Sequence, residues 1–269
     1  MDTTRRNLIF GMLATSSALA VTTPGVKQAL SQITDIVNPA MPAAGYAYAQ
    51  GNTTKKSVLI TGCSSGIGRA TALVFARSGY QTIASIRNLQ TKNARAASEL
   101  RSIAKNENLD LHVVEIDITS DQSVREGIQA AAKINGNRFD VVINNAGIML
   151  PLPVELLPAT AWQMTFDTNV MGASRIGREV LPYMRIQQDG LIVQITSGAG
   201  RVVFPLLGSY CANKFALEAM SDAMRYELAP FGVDVVVVQP DDTKTRLFAN
   251  ARNYLQQTLK AMSSSVPGY

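Results

Sequence analysis

The chain predicts an α/β domain: a parallel sheet covered by helices on both faces. Three observations carry that expectation. Short runs rich in β-branched residues, such as Ser57–Thr61, Val141–Asn144 and Val233–Gln239, alternate with longer segments of helical pattern. The runs are apolar nearly throughout, as strands buried on both sides should be. Glycines gather where the first run ends and a helix should start.

The elements follow in regular order from Lys55. Ser57–Thr61 reads as a short apolar strand, Gly66–Gly79 as a helix ended by its glycine, and Gln81–Ile86 as a second strand. A helix is expected over Gln90–Asn106, a strand over Leu111–Glu115, a helix over Ser120–Ile134 and a strand over Val141–Asn144. One long helix is predicted from Ala159 to Arg185, then strand Leu191–Thr196, helix Ser209–Ala229 and strand Val233–Gln239. Parallel strands joined through helices need right-handed crossovers, and such doubly wound sheets bind ligands at the carboxyl ends of their strands. No internal repeat, low-complexity segment or second domain interrupts the pattern.

Composition narrows the function classes. The 269 residues are 46% apolar and 17% charged, enough for one globular domain with a full core and a short extension. Of the net charge of +5, residues Met1–Lys56 supply +3, with Arg5, Arg6, Lys27, Lys55 and Lys56 against Asp2 and Asp35. The remainder is mildly basic with no Lys/Arg stripe, which argues against a nucleic-acid partner. Cys63 and Cys211 are the only cysteines and show no C-x-x-C spacing, so neither a disulfide framework nor a metal site is expected. The single histidine, His112, falls mid-strand and reads as an ordinary strand side chain, leaving Ser–His–Asp hydrolysis without support.

Residues 1–49 read as a leader and linker, and 50–269 as the domain. Arg5-Arg6 precedes a 14-residue, weakly apolar run, Leu8–Val21, too short to span a bilayer. This resembles a twin-arginine export signal, with small-residue cleavage sites at Ala18-Leu19-Ala20 and Ala47-Tyr48-Ala49. A periplasmic location is the expectation, with membrane contact only in transit; a cytoplasmic protein with a basic N-terminal flank is the alternative. Val26, Leu30, Ile33 and Val37 recur at helical spacing and form either an amphipathic arm or more of the leader. Pro39, Pro42 and Gly45 break any helix before the domain.

The chemistry is carried by two motifs. Gly62, Gly66 and Gly68 lie in Thr61-Gly62-Cys63-Ser64-Ser65-Gly66-Ile67-Gly68, between a strand and a helix, where backbone can approach a pyrophosphate and the helix N-terminus attracts its charge. Asn144-Asn145-Ala146-Gly147 follows the fourth strand and strengthens the reading as a dinucleotide site. The end of the second strand has no acidic residue to accept from a ribose 2′-OH, and offers Arg87, which suits a 2′-phosphate. NADP(H) is therefore expected over NAD(H). Asp117 either accepts from the adenine amino group or is a helix N-terminal acid. The second motif is Tyr210 and Lys214, one helical turn apart and preceded by Ser197 thirteen residues before the tyrosine. A cation held beside a phenol favours phenolate and should lower its pKa towards the range of a general acid/base.

Together these residues resemble the short-chain dehydrogenase/reductase family in its compact, single-domain form, a Rossmann-like fold, over about Lys55–Thr245. The Arg87 site and Gly208–Gly232 are most similar to its steroid- and retinol-active, NADP(H)-using branch. The resemblance implies that Tyr210 exchanges the substrate proton and that Lys214 lowers its pKa and bonds the nicotinamide ribose. It implies that Ser197 polarises the carbonyl oxygen and Asn169 holds a water linking Lys214 to solvent. Cofactor contacts are implied for Gly62, Ser64, Ser65, Gly66, Ile67, Gly68, Arg87, Asp117, Asn144, Ala146, Gly147, Tyr210, Lys214 and Thr243.

Two features depart from the family pattern. Pro240 is followed by Asp241-Asp242 where Gly is common, and these carboxylates either disfavour the cofactor or point to solvent. Only 24 residues follow Thr245, so Leu247–Lys260 supplies a helix while the final strand of the family sheet is expected to be missing. That leaves strand six an edge and a homodimer, rather than a tetramer, as the assembly to expect. The functional expectation is hydride transfer between NADP(H) and a small apolar carbonyl or secondary alcohol. Ile148–Pro153 and Phe204–Leu207 flank the site as substrate, core or subunit contacts. The alternative is a nucleotide-binding sensor, a family relative without turnover.

Overall fold

The structure, a computed structural model, describes residues 55–241, 243 and 245–262, the last six by backbone alone. Its strands are β1 (Ser57–Ile60), β2 (Gln81–Ile86), β3 (Leu111–Glu115), β4 (Val141–Asn144), β5 (Gly190–Ile195) and β6 (Val233–Val238). They form one sheet in the order β3-β2-β1-β4-β5-β6, with every pairing parallel. Val58 of β1 stands between Thr82 of β2 and Val141 of β4, and there the chain reverses its direction of travel across the sheet. That reversal opens a crevice at the carboxyl ends of β1 and β4. This is the doubly wound, Rossmann-like α/β fold that the sequence predicts.

Alternate strand residues divide between two cores. Val58, Ile60, Ala84, Ile143 and Val193 meet α1 (Gly66–Arg77) and α2 (Ala94–Asn106) through Phe75 and Leu100. Leu59, Ile83, Val142 and Ile192 meet α3 (Asp121–Ile134) and α5 (Gly172–Gln187) through Ile128, Ile176 and Val180. Each fully buried valine, leucine or isoleucine among them contributes about 1.5–3 kcal/mol. The remaining helices are α4 (Ala159–Phe166), α6 (Gly208–Leu228) and α7 (Arg246–Met262).

The expected long helix is not continuous in its hydrogen bonding. Between α4 and α5, Asp167–Met171 form a wider π turn, closed by the Gly172 N–H donating to the Asp167 carbonyl five residues back. Arg175 holds this turn, its Nη2 donating to Asp167 Oδ1 at 2.6 Å and its Nη1 to the Ile118 carbonyl at 3.1 Å. A second difference is that α2 starts at Ala94, not Gln90. Asn88 takes a left-handed conformation (φ 55°) and Asn93 Nδ2 donates to the Arg87 carbonyl at 2.7 Å, so the intervening residues turn before the helix begins. Among the described residues the sheet ends at β6, with α7 beyond it.

The arginine pair, the run Leu8–Val21, both candidate cleavage sites, the stretch Gly25–Asn38 and Asp242 lie outside the described residues. No helix among the described residues is long and apolar enough to cross a membrane.

Candidate active site

The nucleotide loop is built at the end of β1. Gly62 has φ +75°, a left-handed conformation that side chains disfavour, and a Cβ on it would stand 2.9 Å from Ala146 Cα. Gly68, one turn into α1, is tighter still: a Cβ there would stand 2.4 Å from Asn145 Nδ2 and 2.6 Å from the Gly62 carbonyl oxygen. Asn145 ties the two motifs together, Nδ2 donating to the Thr61 carbonyl at 2.8 Å while Thr61 Oγ1 accepts from the Asn145 and Ala146 N–H groups. Thus Asn145, not singled out from sequence, shapes the loop; its neighbour Asn144 is buried with both amide atoms unpartnered. Ser65 precedes α1 in an extended conformation without a side-chain cap, and the first turn carries no acidic residue. Such a helix start has free N–H groups and no opposing charge, which suits a pyrophosphate. Ser64 and Ile67 stand half-buried in the same turn. Cys63 is sealed inside, its thiol pushed up by burial and donating to the Ile60 carbonyl.

Arg87 and Asp117, the residues expected on the adenosine side, follow β2 and β3. Their side chains approach to 4.0 Å and both are partly exposed. Asp117 Oδ1 already accepts from the Thr119 N–H and hydroxyl at 3.0 and 2.7 Å, as an acid at a turn before a helix does.

At the end expected to react, α6 brings Tyr210 and Lys214 to the carboxyl ends of β4 and β5. Lys214 is 5% exposed, with Nζ donating to the Ile195 carbonyl at 2.9 Å and lying 5.6 Å from the Tyr210 ring centroid. Burial holds the Lys214 ammonium down at about 8, with the Glu218 carboxylate pulling it back up. The tyrosine corrects an expectation. Its phenol lies above the ordinary value, because burial outweighs the lowering by its hydrogen bond with Ser197. Lys214 sits over the ring face and does not offset that burial.

Ser197 Oγ accepts the Ala199 N–H at 3.1 Å, which fixes the serine and leaves its own O–H to donate. Asn169 comes from the π turn, 2% exposed, and both ends of its amide hold Ile148: Oδ1 accepts the N–H and Nδ2 donates to the carbonyl, each at 2.8 Å. Its first duty is therefore to shape the loop after β4. Gly147 lies between it and the lysine; a Cβ on Gly147 would stand 3.2 Å from Asn169 Oδ1 and 3.9 Å from Lys214 Nζ.

The segment after β6 closes over both motifs. The Pro240 carbonyl accepts the Gly198 N–H, Thr243 is buried with its hydroxyl on the Asp241 carbonyl, and Thr245 packs on Gly66. Asp241 itself is exposed. Of the apolar flanks, Met149 packs beside Tyr210 with Leu207, Leu247 and Ala251. Leu150 and Leu152 belong instead to a core with Leu157 and Ala161, while Phe204 and Leu206 are about half exposed.

Residues 56–256 match the family profile described as short chain dehydrogenase, and the chain belongs to that family of oxidoreductases. It is 36% identical over 195 residues to retinol dehydrogenase 8 of Bos taurus, an alignment covering 71% of this chain and 60% of that one. The chain thus spans about three fifths of that relative's length. Among solved structures it is similar to ElxO with NADP bound, at 28% identity and a TM-score of 0.65, covering 78% of this chain and 80% of that one. It shares the fold of a Burkholderia phymatum short chain dehydrogenase/reductase in complex with NAD, at 24% identity and a TM-score of 0.67, with 80% of each chain covered.

Proposed function

We propose that the protein is an NADP(H)-dependent reductase or dehydrogenase acting between a small, apolar carbonyl and the secondary alcohol, with Tyr210 as general acid/base. The observation that carries this reading is the convergence of Ser197, Tyr210 and Lys214 beside a glycine loop able to seat a pyrophosphate. The nucleotide, when bound, supplies or accepts the hydride at the substrate carbon. In reduction, the Ser197 O–H donates to the carbonyl oxygen and Tyr210 gives it the proton as alkoxide charge develops. Lys214 keeps a positive charge next to the emerging phenolate, and has two N–H donors beyond the one on Ile195 for the nicotinamide ribose. In oxidation the same steps run backwards.

NADP(H) is favoured because Arg87 is only loosely engaged by Asp117, leaving guanidinium donors for a 2′-phosphate; NAD(H) is the alternative. Met149, Leu207 and Leu247 beside Tyr210 support an apolar substrate. A homodimer is supported by exposed Phe166 and Met171, which line one shallow hollow. Exposed Asp241 at the end of β6 is what favours the other reading, a nucleotide sensor without turnover. Following NADPH oxidation against a panel of ketones and aldehydes separates the two, and Tyr210→Phe makes the test specific. That substitution should cut turnover by about 10²–10⁴-fold while NADPH affinity survives. A folded, NADPH-binding Tyr210→Phe protein with undiminished turnover would falsify the mechanism.

A further inference from the structure

Glu218 stands apart from the residues that define the site. It lies on α6 one turn beyond Lys214, is 4% exposed, and was not marked by any sequence motif. A buried carboxylate is costly unless its lone pairs are taken up, and here they are. Oε1 accepts from the Thr196 hydroxyl at 2.5 Å and from Gln239 Nε2 at 2.8 Å, while Oε2 accepts from Arg201 Nη2 at 2.9 Å. Each partner borders the site: Thr196 precedes Ser197, Gln239 precedes Pro240, and Arg201 closes the turn after Ser197. Gly200 lets that turn approach, since a Cβ on it would stand 3.0 Å from Glu218 Cγ.

We propose that Glu218 is a positioning residue of this oxidoreductase: one buried carboxylate fastens the ends of β5 and β6 to α6 and serves as the counter-charge of Lys214. Lys214 has a neutral carbonyl, that of Ile195, as its direct acceptor. Glu218 raises its proton affinity against the effect of burial. The other charges nearby are placed differently. Arg201 is bound to Glu218 and half exposed, Asp222 is exposed and paired with Arg225 one turn further along α6, and Asp241 is exposed. Tyr210 and the buried Cys211 complete the set on α6. A glutamine at 218 keeps an oxygen for Thr196 but removes the charge, so the ammonium should lose its proton at lower pH.

The inference rests on the reading of Lys214 as an active-site cation, and its test does not require turnover. In protein labelled with 13C at the lysine ε-carbon, the Lys214 signal is assigned as the one lost in K214M and titrated with pH. In E218Q, with folding checked by thermal denaturation, the Lys214 midpoint should drop by on the order of 1 pH unit, the size expected for removing one nearby opposite charge. An unmoved midpoint in folded E218Q overturns the proposal. Should E218Q not fold, E218A removes the same charge without turning an amide N–H towards Arg201: the midpoint should again drop, and an unmoved one overturns the proposal. Absence of carbonyl reduction by the unaltered protein would instead count against the reading of its function, and leaves the titration to decide the role of Glu218.

Discussion

Lys214 sets the expected pH behaviour of the reaction. Its ammonium titrates near 8, and the Tyr210 phenol, raised by burial, keeps its proton beyond that point. In the proposed mechanism, reduction needs both the proton on Tyr210 and the charge on Lys214. The rate of carbonyl reduction should therefore be level below about pH 8 and fall above it, by up to about tenfold per unit. Oxidation, which needs phenolate, should rise with pH instead. A kcat/KM profile for reduction that stays flat from about pH 6 to about pH 10 would remove Lys214 from this role. The proposed preference for NADP(H) likewise rests on one side chain. Arg87→Ala should weaken NADPH binding by about 1.5–3 kcal/mol, the value of a charge-assisted contact, with little effect on NADH. Equal affinities of the unaltered protein for both nucleotides would sink the assignment to NADP(H).

Individual elements hold these side chains by close backbone approach. The start of α1 is pressed against the loop after β4, with Gly68 at the point of contact. Gly68→Ala must displace the Asn145 amide or the Gly62 backbone, so a loss of about 1–3 kcal/mol is expected from overpacking, together with loss of nucleotide binding. Denaturant unfolding and fluorescence titration with NADPH would read the two effects. If both are unchanged, the described contact between the motifs is not what shapes the loop. The π turn works in the same way. It is held by Arg175 and points Asn169 at Ile148, so that the loop after β4 is clamped at both its N–H and its carbonyl. The position of Asn169 could be marked in the sequence by the resemblance, but the turn itself could not. Its hydrogen bonds depend on Arg175 reaching Asp167 and the Ile118 carbonyl, the latter on a segment 57 residues earlier in the chain.

At the scale of the molecule, a prediction concerns where the protein works. The two cysteines are buried and unpaired, so the described domain folds without a disulfide. Twin-arginine export carries folded proteins, and we propose that Arg5-Arg6 directs this chain along it. Replacing both with lysine should leave unprocessed protein in the cytoplasm. Fractionation that finds the unaltered chain wholly cytoplasmic, with its N-terminus intact, would refute the export reading.

The sequence by itself determined the sheet and both motifs, because these depend on local regularities. Apolar β-branched runs at β1, β4 and β6 have one place to go, and glycines at the end of β1 permit a backbone that other residues disfavour. The spacing of Tyr210 and Lys214 puts them on one side of α6 whatever else the chain does. Only the tertiary structure decided how those groups are charged and held. Whether a phenol is raised or lowered depends on how much water surrounds it, and burial between α6 and the strand ends reversed the effect expected from Lys214. Asn145 is marked only as a member of the Asn144–Gly147 motif and Glu218 not at all, since the partners that define their roles lie 84 and up to 22 residues away in sequence. Glu218 is buried and Asn145 partly so, and polar atoms that packing withdraws from water must bind whatever the fold brings to them.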